Sequence, residues 1–228
     1  MEQEEKNNTL SFLETIVLLA LNDKGWFGNS EQRIKFGLAG AVLFELEQAG
    51  EIEIIGDLVR VTGIKETGDK VMDVALELLR KSKKSLTLKK SIQRIVYKSG
   101  LKWKVLVKNL IKKNILKKEQ YRFLWIIYQD KYPLVNSEIK KQVVAELYSK
   151  LTGGQELSGK DLMLLAIMRT CRMIDKNFSL QEHFLKVRIK IKEITEFKEP
   201  LTETSRKIKE IQEAIRLSIL SSNVSIHI

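Results

Sequence analysis

Helix-starting chemistry recurs along this chain and constrains the fold more than any other feature. Ser11-Phe-Leu-Glu14 and Ser179-Leu-Gln-Glu182 both read as capping boxes, in which the serine hydroxyl accepts from the amide three residues on and the glutamate reaches back. The first helix is expected to run to about Lys24 and to end at Gly25, which can take the left-handed conformation. A second is expected over Glu31–Gln48, closed by Gly50, with Gly37 and Gly40 inside it. Glycines there cost helix propensity, so close backbone contact with a neighbour is expected to compensate. Thr67-Gly68-Asp69 opens a third helix through Val71, Val74, Ala75, Leu78 and Leu79, whose spacing makes one apolar face. A short helix over Lys102–Lys113 places Trp103, Leu106, Val107 and Leu110 on one face and Lys104, Lys108 and Lys112 on another, with Asn114 to stop it. Asn136 or Ser137 caps a helix ending at Gly153-Gly154, and Ser158 caps one through Met173. The Ser179 helix is expected to end near Glu199, before Pro200, and a last one to run over Glu203–Ser221.

Two short stretches read differently. Glu51–Val61 has β-branched residues flanking Gly56-Asp57, a hairpin with a two-residue turn. Ile115-Leu116, Lys117–Gln120 and Tyr121–Tyr128 read as a second hairpin with an aromatic return strand. Two helices followed by a hairpin outline a winged-helix unit. The expected fold is therefore mainly α: a compact multi-helix domain with an N-terminal winged-helix-like unit and two small β-hairpins. Residues 1–8 are expected to be a flexible acidic N-terminus and 9–228 one domain, with lysine-rich Lys81–Lys90 the best candidate for an internal boundary. Only 2 Pro and 12 Gly occur among 228 residues, which excludes collagen-like and low-complexity chains. No uncharged apolar run approaches the roughly 18–20 residues that span a bilayer. Glu2, Glu4 and Glu5 carry the wrong charge for a secretory signal, and the single Cys171 cannot form an internal disulfide, so a cytoplasmic location is expected.

Charge is distributed unevenly. Residues 1–80 hold 8 basic and 15 acidic side chains, residues 81–120 hold 14 and 1, and the remainder 18 and 13. A net +13 within forty residues either meets an anionic partner, nucleic acid or membrane, or remains a solvated lysine-rich surface.

Catalytic constellations are hard to assemble. His183 lies beside Leu180, Phe184 and Lys186 with no nucleophile or acid in view, and Cys171 follows Leu165, Ile167 and Met168 in a core-like helix. No Gly-rich phosphate loop is present, because Gly37-Leu-Ala-Gly40 sits inside a helical pattern and not after a strand. Two histidines and one cysteine cannot make the usual zinc cage. No enzyme activity, metal or cofactor is expected.

Several blocks in one order resemble the Golgi phosphoprotein 3 family. Ser11-Phe-Leu-Glu-Thr-Ile-Val-Leu-Leu-Ala-Leu-Asn-Asp-Lys-Gly25 is similar to its opening helix, and Gly37-Leu-Ala-Gly-Ala-Val-Leu-Phe-Glu-Leu46 to the next. Thr67-Gly68-Asp69, Leu106-Val-Lys-Asn-Leu-Ile-Lys-Lys-Asn-Ile-Leu116, Tyr132-Pro-Leu-Val-Asn136 and Leu162-Met-Leu-Leu-Ala-Ile-Met168 look like later blocks. The resemblance implies a mostly helical cytosolic domain that binds membranes peripherally through phosphatidylinositol 4-phosphate and, in the Golgi, retains glycosyltransferases by their cytosolic tails. It also implies a basic headgroup pocket with an aromatic and arginines, and an apolar hairpin for membrane contact and oligomerisation. The chain departs from that pocket: the family's arginine in Gly-Leu-Arg-Gly is Ala39, its tryptophan falls at Ser30 with Trp26 the nearest substitute, and two further arginine positions hold Gly100 and Trp103.

The function expected is a peripheral membrane protein binding anionic lipid headgroups, with cytosolic tails of membrane enzymes and a second copy of the chain as further partners. The headgroup residues expected are Trp26, Arg33, Lys102, Lys104, Lys108 and Lys112, and the membrane or oligomer hairpin residues Tyr121, Phe123, Trp125 and Ile127. Those aromatics either lie sandwiched in the core or present a patch to a partner. The alternative is a winged-helix nucleic-acid binder, which the acidic charge of residues 1–80 disfavours.

Overall fold

The computed structural model of the protein describes residues 9–27, 31–63, 66–82, 84–99, 103–123, 127–198 and 202–224. Helix α1, Phe12–Ala20, begins with the expected capping box: Ser11 Oγ accepts from the Glu14 amide at 3.2 Å, and Glu14 Oε2 from the Ser11 amide at 2.8 Å. It ends at Leu21 and not at Lys24, because Asn22 Oδ1 accepts from the amides of Lys24 and Trp26, both at 3.0 Å, and this local turn competes with helix. Its last carbonyls are met from across the core. Lys140 Nζ donates to Leu21 O at 2.7 Å, Asn177 Nδ2 to Leu19 O at 3.0 Å, and Lys176 Nζ to Ala20 O.

Helix α2, Glu31–Gln48, is buried almost continuously from Ile34 to Leu46. Such a helix must be covered on every side. A methyl on Gly37 would lie 2.8 Å from Cys171 Sγ, and one on Gly40 would collide with Ile215, so both glycines serve the close approach their positions imply. Strands β1, Ile52–Ile55, and β2, Leu58–Val61, pair antiparallel around Gly56-Asp57. Helix α3, Lys70–Arg80, is capped by Asp69, whose carboxylate accepts from the amides of Val71 and Met72.

The lysine-rich stretch Lys81–Lys90 is not a boundary. Leu86–Thr87 forms β3, which adds to β2, and Thr87 Oγ1 accepts from the Lys90 amide to start helix α4, Leu88–Lys98. Leu88, Ile92, Ile95 and Val96 of α4 are buried, and the helix packs on α2. Helix α5, Trp103–Lys112, follows and is broken by left-handed Asn114.

The second hairpin is displaced along the sequence. Strands β4, Glu119–Phe123, and β5, Ile127–Lys131, pair with Tyr121 opposite Gln129 and Phe123 opposite Ile127. The expected turn residues Glu119 and Gln120 are therefore in a strand, and the single return strand Tyr121–Tyr128 is divided between two. Ile115 and Leu116, expected as the outgoing strand, are buried, and Leu116 bridges only to Leu134.

Helices α6, Glu138–Gly153, α7, Gly159–Thr170, α8, Ile174–Phe178, α9, Phe184–Glu196, and α10, Glu203–Val224, complete the chain. Gly154 ends α6 in the left-handed region, and Ser158 forms a capping box with Asp161 for α7. That helix stops at Thr170, short of Met173, because Arg172 adopts φ 59° and the Met173 amide turns back to Met168 O. Ser179 caps nothing at a helix start: its amide closes α8 on Asp175 O, and α9 begins five residues later. Phe197, at φ 45°, ends α9 at Glu196, before Pro200, which lies outside the described residues. Helix α10 packs on α2, α4 and α7. The chain is mainly α with two small antiparallel sheets among the described residues.

Candidate functional site

Three segments remote in sequence are tied together around Gly25. The Tyr132 amide donates to Gly25 O at 2.9 Å, the Lys117 amide to Pro133 O at 3.0 Å, and the Val135 amide to Ile115 O at 2.9 Å. Gly25 has φ 78°, and a methyl there would collide with the backbone of Tyr132 and Pro133. Backbone cannot step aside as a flexible side chain can, so glycine is what lets the loop after α1 lie against the base of the second hairpin.

A cleft of about 720 Å³ opens between this loop, the start of α5 and the hairpin. Its aromatic wall is built from edge-to-face contacts: Phe27 on Trp103 at 4.6 Å between centroids, Trp103 on Tyr132 at 5.8 Å, and Trp26 on Tyr121 at 6.0 Å. Lys104, Glu31 and Asp130 supply its charges. Glu31 is paired with Lys35 at 2.9 Å and Asp130 with Lys118 at 2.9 Å, which leaves Lys104 as the lining cation outside any ion pair among the described residues, although its charge also acts on Asp130. The hydrogen bond from Lys118 holds the Asp130 carboxyl below its ordinary range. Burial first, and the Asp130 charge second, push the Tyr132 phenol up.

From Lys104 a cationic row leaves the cleft along α5. Lys104, Lys108 and Lys112 are exposed one turn apart, and none of them forms an ion pair among the described residues. The opposite face of α5, Leu106, Val107 and Leu110, is buried, and the helix packs on α1. Lys113, one residue beyond the row, is turned inward: its ammonium meets Glu14 at 2.6 Å and Thr9 O at 2.8 Å, joining the end of α5 to the start of α1. The hairpin's lysines are likewise engaged. Lys117 and Lys131 grip Glu119 at 2.8 and 2.7 Å, with Lys117 the larger influence, and hold its carboxyl at about 2.

Of the residues expected from sequence, the structure brings Trp26, Lys104 and Tyr121 to the cleft and its rim and sets Lys108 and Lys112 beside it. Arg33 does not line the cleft; it is half-buried on α2, and its carbonyl accepts from Cys171 Sγ at 3.2 Å. Lys102 and Trp125 lie outside the described residues, and Phe123 and Ile127 are defined by their register alone. Tyr121 and Tyr128 are exposed, not sandwiched, and the Arg122 guanidinium lies 5.7 Å from the Tyr128 ring centroid. Ala39 is fully buried in the middle of α2, while Trp103 stands as cleft wall. Phe27, Glu31, Asp130 and Tyr132 were not expected as site residues. Tyr132-Pro133 carried the one available signal, as part of a block resembling the family.

Nucleophile chemistry finds no support at the two candidates. Burial pushes the Cys171 thiol up to about 12, so the thiolate is negligible near neutrality. His183 is exposed at a left-handed position, with the Glu182 carboxylate 3.3 Å from Nε2.

The sequence pattern of the Golgi phosphoprotein 3 (GPP34) family matches residues 13–215. The chain is also similar to vacuolar protein sorting-associated protein 74 of Eremothecium gossypii, 24% identical over 176 residues that cover 66% of this chain and 52% of that protein. The protein of the same name from Schizosaccharomyces pombe is 26% identical over 175 residues, covering 66% of this chain and 50% of its own length. The chain thus spans about half the length of the curated relatives it matches. No helix among the described residues is long and apolar enough to cross a membrane. The matched span runs from α1 into α10 and contains the cleft, the lysine row and the hairpin: the chain belongs to the Golgi phosphoprotein 3 family.

Proposed function

We propose that the protein is a peripheral membrane protein whose α5 row meets anionic lipid headgroups. The observation that carries this reading is the row itself: three exposed lysines in register on one helix, none neutralised by an ion pair among the described residues, leading to an aromatic cleft. At about 1 kcal/mol for each near-surface lysine, the row supplies about 3 kcal/mol on an anionic leaflet. Stable attachment needs more than that, and the cleft and the exposed tyrosines of the hairpin are the neighbours able to add it.

The finer reading, recognition of phosphatidylinositol 4-phosphate, is what the family resemblance implies. Trp26 and Lys104 support it by offering an aromatic face and a cation in one cleft. Glu31 and Asp130 in the same lining disfavour a highly phosphorylated headgroup, since they occupy Lys35 and Lys118 and leave Lys104 as the one lining cation outside an ion pair among the described residues. Capture of cytosolic tails and self-association belong to the same proposal. A nucleic-acid reading has lost its main support: α2, in the place of a recognition helix, is covered by α1, α3, α4, α7 and α10 and has no face for a groove.

Replacing Lys104, Lys108 and Lys112 together by Glu tests the proposal. Binding to phosphatidylcholine vesicles containing phosphatidylserine should weaken by about a hundredfold or more, so that only high lipid retains the chain, while the melting temperature stays nearly unchanged, since exposed charges contribute little to the fold. A folded triple variant that binds these vesicles as wild type does would overturn it.

A further inference from the structure

Helix α9 carries an apolar stripe that its own fold leaves in water. Val187, Ile191 and Thr195 are buried, and the helix packs on α6 and α7. On the other side Leu185 and Ile189, one turn apart, are 68% and 57% exposed, and Leu180 just before the helix is 96% exposed. Cations border the stripe on both flanks: Arg188 and Lys192 one turn apart on one side, Lys186 and Lys190 on the other, all four exposed, with Lys192 3.7 Å from Glu196 and Glu193 the exposed acid on the Lys190 side. Beyond Arg188 and Lys192 lies a groove of about 600 Å³ against α8, where Arg172 has no ion pair among the described residues and Asp175 is the one acidic lining residue. Arg188 reaches Asp175 only at 3.5 Å.

We infer that this face of α9 is a second contact for an anionic bilayer, separate from the α5 row and resting, as that row does, on the membrane reading. A stripe of large aliphatic residues flanked on both sides by long cationic side chains is the pattern of a helix lying in a membrane interface. The apolar face enters the acyl boundary while lysine and arginine stems follow it and keep their charges among the phosphates. A folded acidic partner would match the charge as well. However, Leu180 stands almost wholly in solvent, and Leu185 and Ile189 line the groove yet keep more than half of their surface in water, which suits a yielding lipid surface better than a partner seated in the groove. The groove at Arg172 and Arg188 gives one headgroup phosphate a place beside the stripe.

The test places an environment-sensitive nitrobenzoxadiazole label on a Leu185→Cys variant of the full chain. Cys171 is buried with its thiol pushed up to about 12, so it does not compete for the label. Vesicles of phosphatidylcholine with phosphatidylserine should shift the label's emission to the blue and brighten it severalfold, whereas phosphatidylcholine alone should not. The shift should persist at higher lipid when Lys104, Lys108 and Lys112 are also changed to Glu. Leu185→Ser with Ile189→Ser, two exposed positions that leave the core untouched, should weaken vesicle binding by about tenfold. Co-sedimentation with an unchanged label spectrum would overturn the α9 contact and leave the α5 reading standing. Failure of the wild-type chain to bind the vesicles would overturn both. A shift with polyglutamate and none with vesicles would assign the face to an acidic protein instead.

Discussion

Lys140 and Lys176 cross the core to the carbonyls that end α1, and both lose water there; the Asp23 charge offsets part of this for Lys140, whereas no carboxylate among the described residues does so for Lys176. Burial first, then repulsion from Lys140, lowers Lys176 to about 8. In the unfolded chain a lysine titrates near about 10.4, so between these two values the unfolded state binds more protons and stability must rise with pH. Below pH 8 both states are protonated and this contribution is flat. Relative to a Lys176→Met variant, the wild type should therefore gain on the order of 1 kcal/mol per pH unit between about pH 8 and 10. Cys171, whose thiol is pushed up, works in the opposite direction at alkaline pH in both chains, so the comparison removes its effect apart from its coupling to the Lys176 charge. Denaturant unfolding of both across that range measures it; a constant gap would mean that the ammonium is solvated. Gly25 makes a second prediction at this scale. Gly25→Ala should cost well over the roughly 1–2 kcal/mol of left-handed strain alone, because its methyl also strikes the Tyr132-Pro133 backbone. Gly50→Ala, at φ 73° with open space around it, should cost the strain only. Equal losses in thermal or denaturant stability would show that the loop yields. The sequence marks Gly25 as a stopping residue; that it stops a loop against a hairpin and not a helix depends on Tyr132, a hundred residues away, which no local pattern contains.

Elements whose signals are local were legible, and elements that depend on partners were not. Ser11, Asp69 and Ser158 cap the helices they predict, since a cap needs only its own next three residues. Ser179 matches the same pattern, but α8 already occupies the preceding residues and takes its amide. Helix α4 was hidden by lysines around it, although Leu88, Ile92 and Ile95 keep the spacing of a buried face. The hairpin was misplaced because Tyr121–Tyr128 looks like one apolar strand. Its true register lets Glu119 meet Lys131 and Asp130 meet Lys118, which the aromatic pattern does not reveal. The crossing of α2 and α10 gives a prediction for elements. Gly40→Ala should destabilise by about 1–3 kcal/mol through overpacking against Ile215. Ile215→Val removes the nearer of the two Ile215 carbons in the way, so the double variant should lose less than the two single losses added. Strict additivity in a double-mutant cycle would mean that the helices separate and do not interlock.

For the whole molecule, the uneven charge read from the sequence is partly consumed by folding. Lys81 pairs with Glu77, Lys113 with Glu14, Lys117 with Glu119 and Lys118 with Asp130, so the acidic first third and the hairpin neutralise part of the basic segment. What survives includes a row on α5 and a flanked stripe on α9, beside exposed lysines such as Lys84, Lys90 and Lys98 that have no ion pair among the described residues, and a net charge cannot distinguish these placements from a uniformly solvated surface. Trp26 and Lys104 were legible as candidates, but the cleft draws on the loop after α1, α5 and the hairpin, and its carboxylates became visible only when those segments met. Because the contact proposed is electrostatic, its strength should fall as salt screens it. The most direct test measures the wild-type chain at one moderate salt concentration against phosphatidylserine-containing vesicles, phosphatidylcholine vesicles and duplex DNA side by side. Binding to the anionic vesicles alone, weakened by added salt, is the result expected; binding to duplex DNA with no binding to either vesicle would contradict the account.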